Sequence, residues 1–204
     1  MPRPRLHDER LKERLLEAAS RMISSSGGDF ALRPLAKSVG TSTTAVYSLF
    51  GSRQALVDAV ALRSAHSLRD ALLAATDDNL LLRLMNQGLG YRRSAVENPG
   101  MFRIVFTGEH HSDDLLAAQE EIAIPFRRTV SEAMEQGLLH GDRKRILRHL
   151  HSGVHGFLRL EGSGRMGSDP EFRLLLIDLI SAHVTEKGRK ELAALDAAGE
   201  TLAS

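Results

Sequence analysis

The chain has 204 residues, 42% hydrophobic and 26% charged, enough to bury a sizeable core in one large or two small domains. Its 27 Lys and Arg against 26 Asp and Glu give a formal net charge of +1, so whole-chain basicity argues for no polyanionic partner. The absence of cysteine excludes disulfides, thiolate zinc sites, iron–sulfur clusters and cysteine nucleophiles together. The near-neutral total conceals a split: residues 1–75 carry 11 basic and 7 acidic side chains, residues 76–204 carry 16 and 19. A basic head therefore precedes a mildly acidic body. Residues 1–14 are charged throughout and lack the apolar stretch of a secretory signal, and no apolar run reaches the roughly 18 residues of a membrane helix. The expectation is a cytoplasmic protein without membrane contact.

Aromatic residues make up only 4% of the chain, and Leu, Ala, Arg and Glu recur at three- and four-residue steps, a pattern that predicts an all-α fold. The first helix is expected from Asp8, as N-cap, to Ser25, with Leu11, Leu15, Ala18, Ala19, Met22 and Ile23 on one face. Gly27 and Gly28 end it. A short helix follows over 32–39, with Pro34 tolerated in its first turn, and Gly40 breaks the chain. A second short helix over 43–50 ends at Gly51, and Ser52 opens a long helix to residue 74. Downstream, helices are expected over 80–97, 99–106, 114–137, 142–160 and 170–187. Pro125 must kink or split the third of these. The tail from Gly188 reads as a frayed helix or disorder. The boundary between the two domains, 1–75 and 76–204, is placed at the turn around Thr76-Asp77-Asp78-Asn79.

Residues 32–53 carry the chemistry. Two short helices joined by a Gly-containing turn, the second opening on Ser42, Thr43 and Thr44, form a helix-turn-helix pattern. A recognition helix needs small hydrogen-bonding side chains at its N-terminus to reach base edges, and its free N–H groups meet phosphate. Tyr47 lies one turn on, outward by the periodicity that buries Val46 and Phe50. On spacing alone the plainer alternative stays open, in which Ser42 is a cap and the two threonines a solvated first turn. The N-terminal arm, with Arg3, Arg5 and Arg10, reads equally as a groove-seeking arm or a solvated tail.

The stretch from Arg14 to Val60, with its apolar first helix, Ala36, Gly40, Val46-Tyr47, Phe50, Ser52 and Leu56, resembles the N-terminal domain of TetR-family transcriptional regulators. A second stretch, Tyr91-Arg92-Arg93-Ser94-Ala95-Val96-Glu97-Asn98-Pro99-Gly100-Met101-Phe102-Arg103, is similar to the branch of that family with a WHG-type C-terminal domain, and Val154-His155-Gly156 stands at its Trp-His-Gly. The resemblance implies an N-terminal three-helix DNA-binding domain and a C-terminal helical domain for effector binding and dimerisation. It implies DNA contacts from Arg33, Ser42, Thr43, Thr44, Tyr47, Ser48 and Arg53. Departures are Thr43-Thr44 where Lys-Gly is frequent, Leu49 for His or Tyr, Ala31 for the usual Ser or Thr cap, and Val154 for Trp.

For the body, an effector pocket is expected along Met101, Phe102, Val105, Phe106, Phe126, Val130 and Met134, with His151 and His155. Any of these residues taken singly also reads as plain core. A dimer interface is expected from Leu150, Val154, Phe157, Leu158, Phe172, Leu176, Leu179, Ile180 and His183. The alternative is a monomer that uses the same faces internally. His151 and His155 share a helix face but lack a carboxylate at helical spacing, so no metal and no cofactor is expected. A hydrolytic reading of His110, His111 and Asp113 lacks a nucleophile on a strained turn, and no enzyme is expected. The functional expectation is a ligand-responsive repressor, binding a palindromic double-stranded operator as a homodimer and released by a small-molecule effector. A constitutive or architectural DNA-binding regulator without effector is the alternative.

Overall fold

A computed structural model describes residues 5–26, 30–106, 112–165 and 167–197. Eleven helices, and no strand, are found among them. In chain order these are α1 (Arg5–Ser26), α2 (Leu32–Ser38), α3 (Thr43–Phe50), α4 (Arg53–Leu73), α5 (Leu80–Glu97), α6 (Pro99–Phe106), α7 (Asp113–Ile122), α8 (Ile124–Glu135), α9 (Arg143–Glu161), α10 (Asp169–Ser181) and α11 (Glu186–Ala197). The all-α expectation holds. Of the N-terminal arm, residues 1–4 lie outside the described residues, as do His110 and His111.

The helices form two compact units. One comprises 1–67 with 98–121, the other 68–97 with 122–204, and α4 contributes residues to both. The division by packing thus falls differently from a cut at 75/76, because α6 and α7 are built into the first unit.

In the first unit Leu15, Ala19 and Ile23 of α1 are fully buried with Leu35 of α2, Val46 of α3 and Leu56 of α4. Gly100 lets α6 lie directly on α1: a Cβ there would collide with the Ile23 carbonyl. That approach puts Met101 into the same core, with Ser20 Oγ 3.8 Å from its sulfur.

In the second unit α5 packs on α8, α9 and α10. α5 and α8 run antiparallel, as three rungs show: Arg83 with Glu132 at 2.9 Å, Gln87 with Thr129 at 3.0 Å, and the rings of Tyr91 and Phe126 at 6.2 Å. Steps of four on α5 meet steps of three on α8, so one face of each helix stays engaged along its length. Arg92 clamps the far side, bonding Glu161 and Asp169 at 2.6 Å each, while Arg173 shares Asp169.

The split expected at Pro125 is found, whereas α1 begins at Arg5 with Asp8 inside its first turn rather than at the N-cap, and the last long helix ends early. Pro125 splits the helix expected over 114–137, ending α7 at Ile122 and sitting in the first turn of α8, where its missing donor costs nothing. The helix expected over 170–187 stops at Ser181, and residues 186–197 form α11. The stop is made by His183 to Thr185: His140 N–H donates to the His183 carbonyl, Thr185 N–H to that of Leu138, and the Thr185 hydroxyl accepts from Gly188 N–H as a cap. α10 opens on a reciprocal capping box formed by Ser168 and Glu171.

Candidate nucleic-acid interface and effector site

The helix-turn-helix is built from α2, a left-handed turn and α3. Gly40 has φ 69°, a conformation that glycine adopts without the steric cost of a Cβ, and the Thr41 N–H returns to the Ala36 carbonyl at 2.9 Å. Ser42 then caps α3, its Oγ accepting from Ala45 N–H at 3.2 Å. Ala31, as expected, gives α2 no side-chain cap. Val46 is fully buried and pins α3 to the core. The opposite ridge is open: Thr44 and Ser48 are exposed, Tyr47 is 52% exposed, and Thr43 is half-buried at the helix start. Thr44, Tyr47 and Ser48 stand at i, i+3 and i+4, a single stripe of hydroxyl groups.

Arg33, in the first turn of α2, is exposed. So is Lys37, one turn on in the same helix, a cation at i, i+4 spacing that the sequence reading did not single out. Arg53 has a different setting from its helix-turn-helix companions. Its Nε donates to the Phe30 carbonyl at 3.1 Å and its guanidinium lies 4.8 Å above the Phe30 ring, so it straps the α1–α2 connection to α4. Arg14, the residue that leads the resembling stretch, donates to the Val39 carbonyl at 2.5 Å and so ties α1 to the helix-turn-helix turn.

The residues expected at an effector pocket divide between the units. Met101, Phe102, Val105 and Phe106 lie on α6 of the first, Met101 and Val105 being buried there. Phe126, Val130 and Met134 lie on α8, and His151 and His155 on α9, of the second. In the second unit Tyr91, 3% exposed, joins this set: its hydroxyl is 2.7 Å from His155 Nε2, and its ring packs edge-on to both His155 and Phe126. Burial pushes the Tyr91 hydroxyl pKa up, so it keeps its proton. Burial, and secondarily the charge of His151, pushes His155 down to about 4. The imidazole is therefore neutral at neutral pH, and its tautomer decides which of the two groups donates. One turn back on α5, Gln87 donates from Nε2 to Thr129 Oγ1, and its Oε1 is buried with no partner. Gln87 and Thr129 were invisible as a pair in the sequence because 42 residues separate them.

The nine residues expected at a dimer interface lie mostly inside the second unit. Leu150, Val154, Phe157 and Leu158 of α9 and Phe172, Leu176, Leu179 and Ile180 of α10 are all 9% exposed or less. Phe157 and Phe172 rings meet at 5.2 Å, and an added Cβ on Gly153 would sit 2.7 Å from Leu179. His183 is half-buried and 2.9 Å from His149. The apolar faces of α9 and α10 thus close on each other within the chain. The outward faces carry Gly156, which has open space beside it, Leu160 at 38% exposure and Leu174 at 54%.

Among the described residues no group of three or more His, Asp or Glu side chains is placed to hold a metal ion. No described helix is long and apolar enough to cross a membrane.

Residues 84–182 match the family model described as a tetracyclin repressor-like C-terminal domain, a span that begins within α5 and includes Gln87, Tyr91, α8 and the Val154-His155-Gly156 segment. No curated protein matches the sequence. Among solved structures, a protein of unknown function from Rhodococcus sp. RHA1 superposes with a TM-score of 0.74 at 24% identity, over 86% of this chain and 96% of that one. A TetR family transcription regulator from Marinobacter aquaeolei VT8 gives 0.68 at 19% identity, over 89% of this chain and 100% of that one. RolR in complex with the ligand resorcinol gives 0.64 at 16% identity, over 92% and 95%. A helix-turn-helix thus stands ahead of a segment that matches a tetracyclin repressor-like C-terminal domain, and the chain shares its fold with the TetR family transcription regulator from Marinobacter aquaeolei VT8.

Proposed function

We propose that the protein is a ligand-responsive repressor that binds a palindromic operator as a homodimer and is released by a small-molecule effector. The observation that supports this most is the free ridge of α3. A helix capped by Ser42 and held from behind by Val46 presents Thr44, Tyr47 and Ser48 outward, the small hydrogen-bonding groups that base edges and phosphates require. Thr43 and Ser42 sit at its N-terminal turn, where unpaired N–H groups favour phosphate. Arg33 and Lys37 supply flanking cations on α2. Arg53 acts behind this surface by holding Phe30, and with it the helix-turn-helix, in place.

A lone helix-turn-helix gives a short footprint, and two of them related by a twofold axis read half-sites about 34 Å apart. With the inner faces of α9 and α10 occupied, we assign the dimer contact to their outer faces, through Gly156, Leu160 and Leu174. The effector reading rests on the buried polar groups of the second unit, and RolR, which shares the fold, holds resorcinol. Because α4 contributes residues to both units, an effector that favours one setting of this helix shifts the DNA-binding equilibrium by its differential affinity for the two settings. No catalytic role is assigned, and the site of action is the cytoplasm. Selection of bound DNA from random duplexes tests the reading: a palindromic consensus supports it, and recovery of no consensus overturns it.

A further inference from the structure

Gln87 is the one buried side chain that leaves a polar atom unpaired among the described residues. It is 2% exposed, its Nε2 is fixed by Thr129, itself 1% exposed, and its Oε1 has no donor. An orphaned buried acceptor forfeits its hydration without a protein partner in return, and native cores hold few. The setting is not a random fault in packing. Gln87 occupies the middle rung between an ion pair, Arg83 with Glu132, and an aromatic contact, Tyr91 with Phe126. Tyr91, whose hydroxyl meets His155, lies one turn further along α5 on the same face as Gln87.

The groups lining this turn are an amide, a threonine hydroxyl, a phenol and an imidazole. The imidazole is held neutral by burial, as noted, and Arg83 is paired with Glu132 and with the Asp77 carbonyl. The lining therefore offers acceptors and ring edges and no net charge. We propose that Gln87 and Thr129, with Tyr91, Phe126 and His155 one turn on, form the effector-recognition site, and that the occupant is a small uncharged aromatic molecule that donates an O–H or N–H to Gln87 Oε1. This rests on the effector-responsive reading above. Charged aromatics are rejected because a carboxylate placed here would be buried without a cation. Rings without a donor leave Oε1 unpaired and gain only apolar contact.

Thermal unfolding of the full chain with millimolar phenol, anisole or benzoate tests this, alongside operator affinity measured in the same solutions. Phenol should raise Tm by about 2–4 °C, a shift typical of ligand linkage near 1 kcal/mol in a chain of this size. Anisole, which lacks the donor, and benzoate, which is charged, should raise it less than half as much. Gln87→Met keeps side-chain volume and removes the acceptor; it should leave the apo protein as stable or more stable and abolish the preference for phenol. Thr129→Ser keeps the hydroxyl and should keep the response. Should Gln87→Met fail to fold, Thr129→Val, which frees the amide from its anchor, must reduce the phenol preference. Equal shifts with phenol and anisole, no shift with phenol, or a phenol shift that survives Gln87→Met each overturn the proposal. A Gln87 whose acceptor is satisfied by a buried water would show the second of these, together with a lower apo Tm for Gln87→Met. Operator affinity separates the two readings: benzoate-induced release that survives Gln87→Met keeps an effector and sinks this site, whereas phenol bound at Gln87 without change in operator affinity keeps the site and sinks the effector reading.

Discussion

The Tyr91 hydroxyl and His155 Nε2 share a hydrogen bond of 2.7 Å, which joins α5 to α9 through two neutral groups, Tyr91 buried and His155 half-buried. His155 titrates at about 4 in the folded chain against an ordinary value of 6.5. A histidine depressed in this way is neutral in both folded and unfolded chains above pH 6.5. Below that the unfolded chain takes up the proton first, so stability falls as pH drops from about 6.5 to about 4 and then levels. His155→Gln retains a hydrogen-bonding partner for Tyr91, as acceptor or donor, and removes the titration. The expected outcome in melting curves from pH 4 to 8 is that the variant loses less Tm than the parent across this window. Parallel Tm profiles would show that another group carries the acid sensitivity, His183 being the next candidate because its pKa is also lowered by burial and by neighbouring His149.

Arg53 bonds the Phe30 carbonyl and covers the Phe30 ring. A charge-assisted hydrogen bond to a partly buried carbonyl, with the cation over the ring, is worth about 2 kcal/mol. Arg53→Lys keeps the charge but loses the planar fork and the stacking. Denaturant unfolding should place Arg53→Lys clearly below the parent in stability, while a residue acting only through its charge toward DNA would leave unfolding unchanged.

Gly100 brings α6 onto α1 at the Ile23 carbonyl. Since the obstacle is backbone, a methyl group there is accommodated only if one helix moves, and overpacking of this kind costs on the order of 1–3 kcal/mol. Gly100→Ala should therefore destabilise the chain although alanine is the better helix former. Chemical denaturation of the two proteins gives the answer, a neutral or stabilising effect contradicting the packing.

Leu160 and Leu174 are exposed on the outer faces of α9 and α10. Leu160→Asp with Leu174→Asp should shift the sedimentation coefficient from dimer to monomer without loss of helicity, and Leu174→Asp alone should weaken the dimer partially. A dimer that survives the double substitution places the interface elsewhere.

How much of this was legible in the sequence differs between the two units. The head was readable because its signals are local: Gly40, Ser42, Val46 and Tyr47 set the turn, cap, anchor and open face within eight residues. Pro125 marked the α7–α8 break for the same reason. In the body the periodicity of α9 and α10 identified which faces are buried, but apolarity does not say whether the covering surface belongs to the same chain. The structure answers with Phe157 on Phe172 and Leu179 over Gly153. Met101 shows the same limit, its burial legible and its place in the head core not. The α10 stop at Ser181 depends on pairing with residues 138–140, and the Gln87–Thr129 bond on α5 meeting α8, both properties of tertiary structure. The near-neutral total charge told little; the structure adds that Arg33 and Lys37 of the basic head are exposed on α2, ahead of the uncharged α3 ridge.

The central claim is that α3 reads DNA, and the most direct measurement is fluorescence anisotropy of a selected duplex titrated with the parent chain and with Thr44→Ala/Tyr47→Ala across a range of salt concentrations. Both side chains project from α3 into solvent, so the variant should fold as the parent does. Loss of a base or phosphate contact at each is worth about 1–3 kcal/mol in all, which predicts affinity lower by roughly 10- to 100-fold. Lys37→Ala in the same assay should reduce the salt slope by about 1 without changing sequence preference. Unchanged affinity and an unchanged salt slope in the Thr44→Ala/Tyr47→Ala protein would contradict the assignment of α3 as the DNA-reading helix.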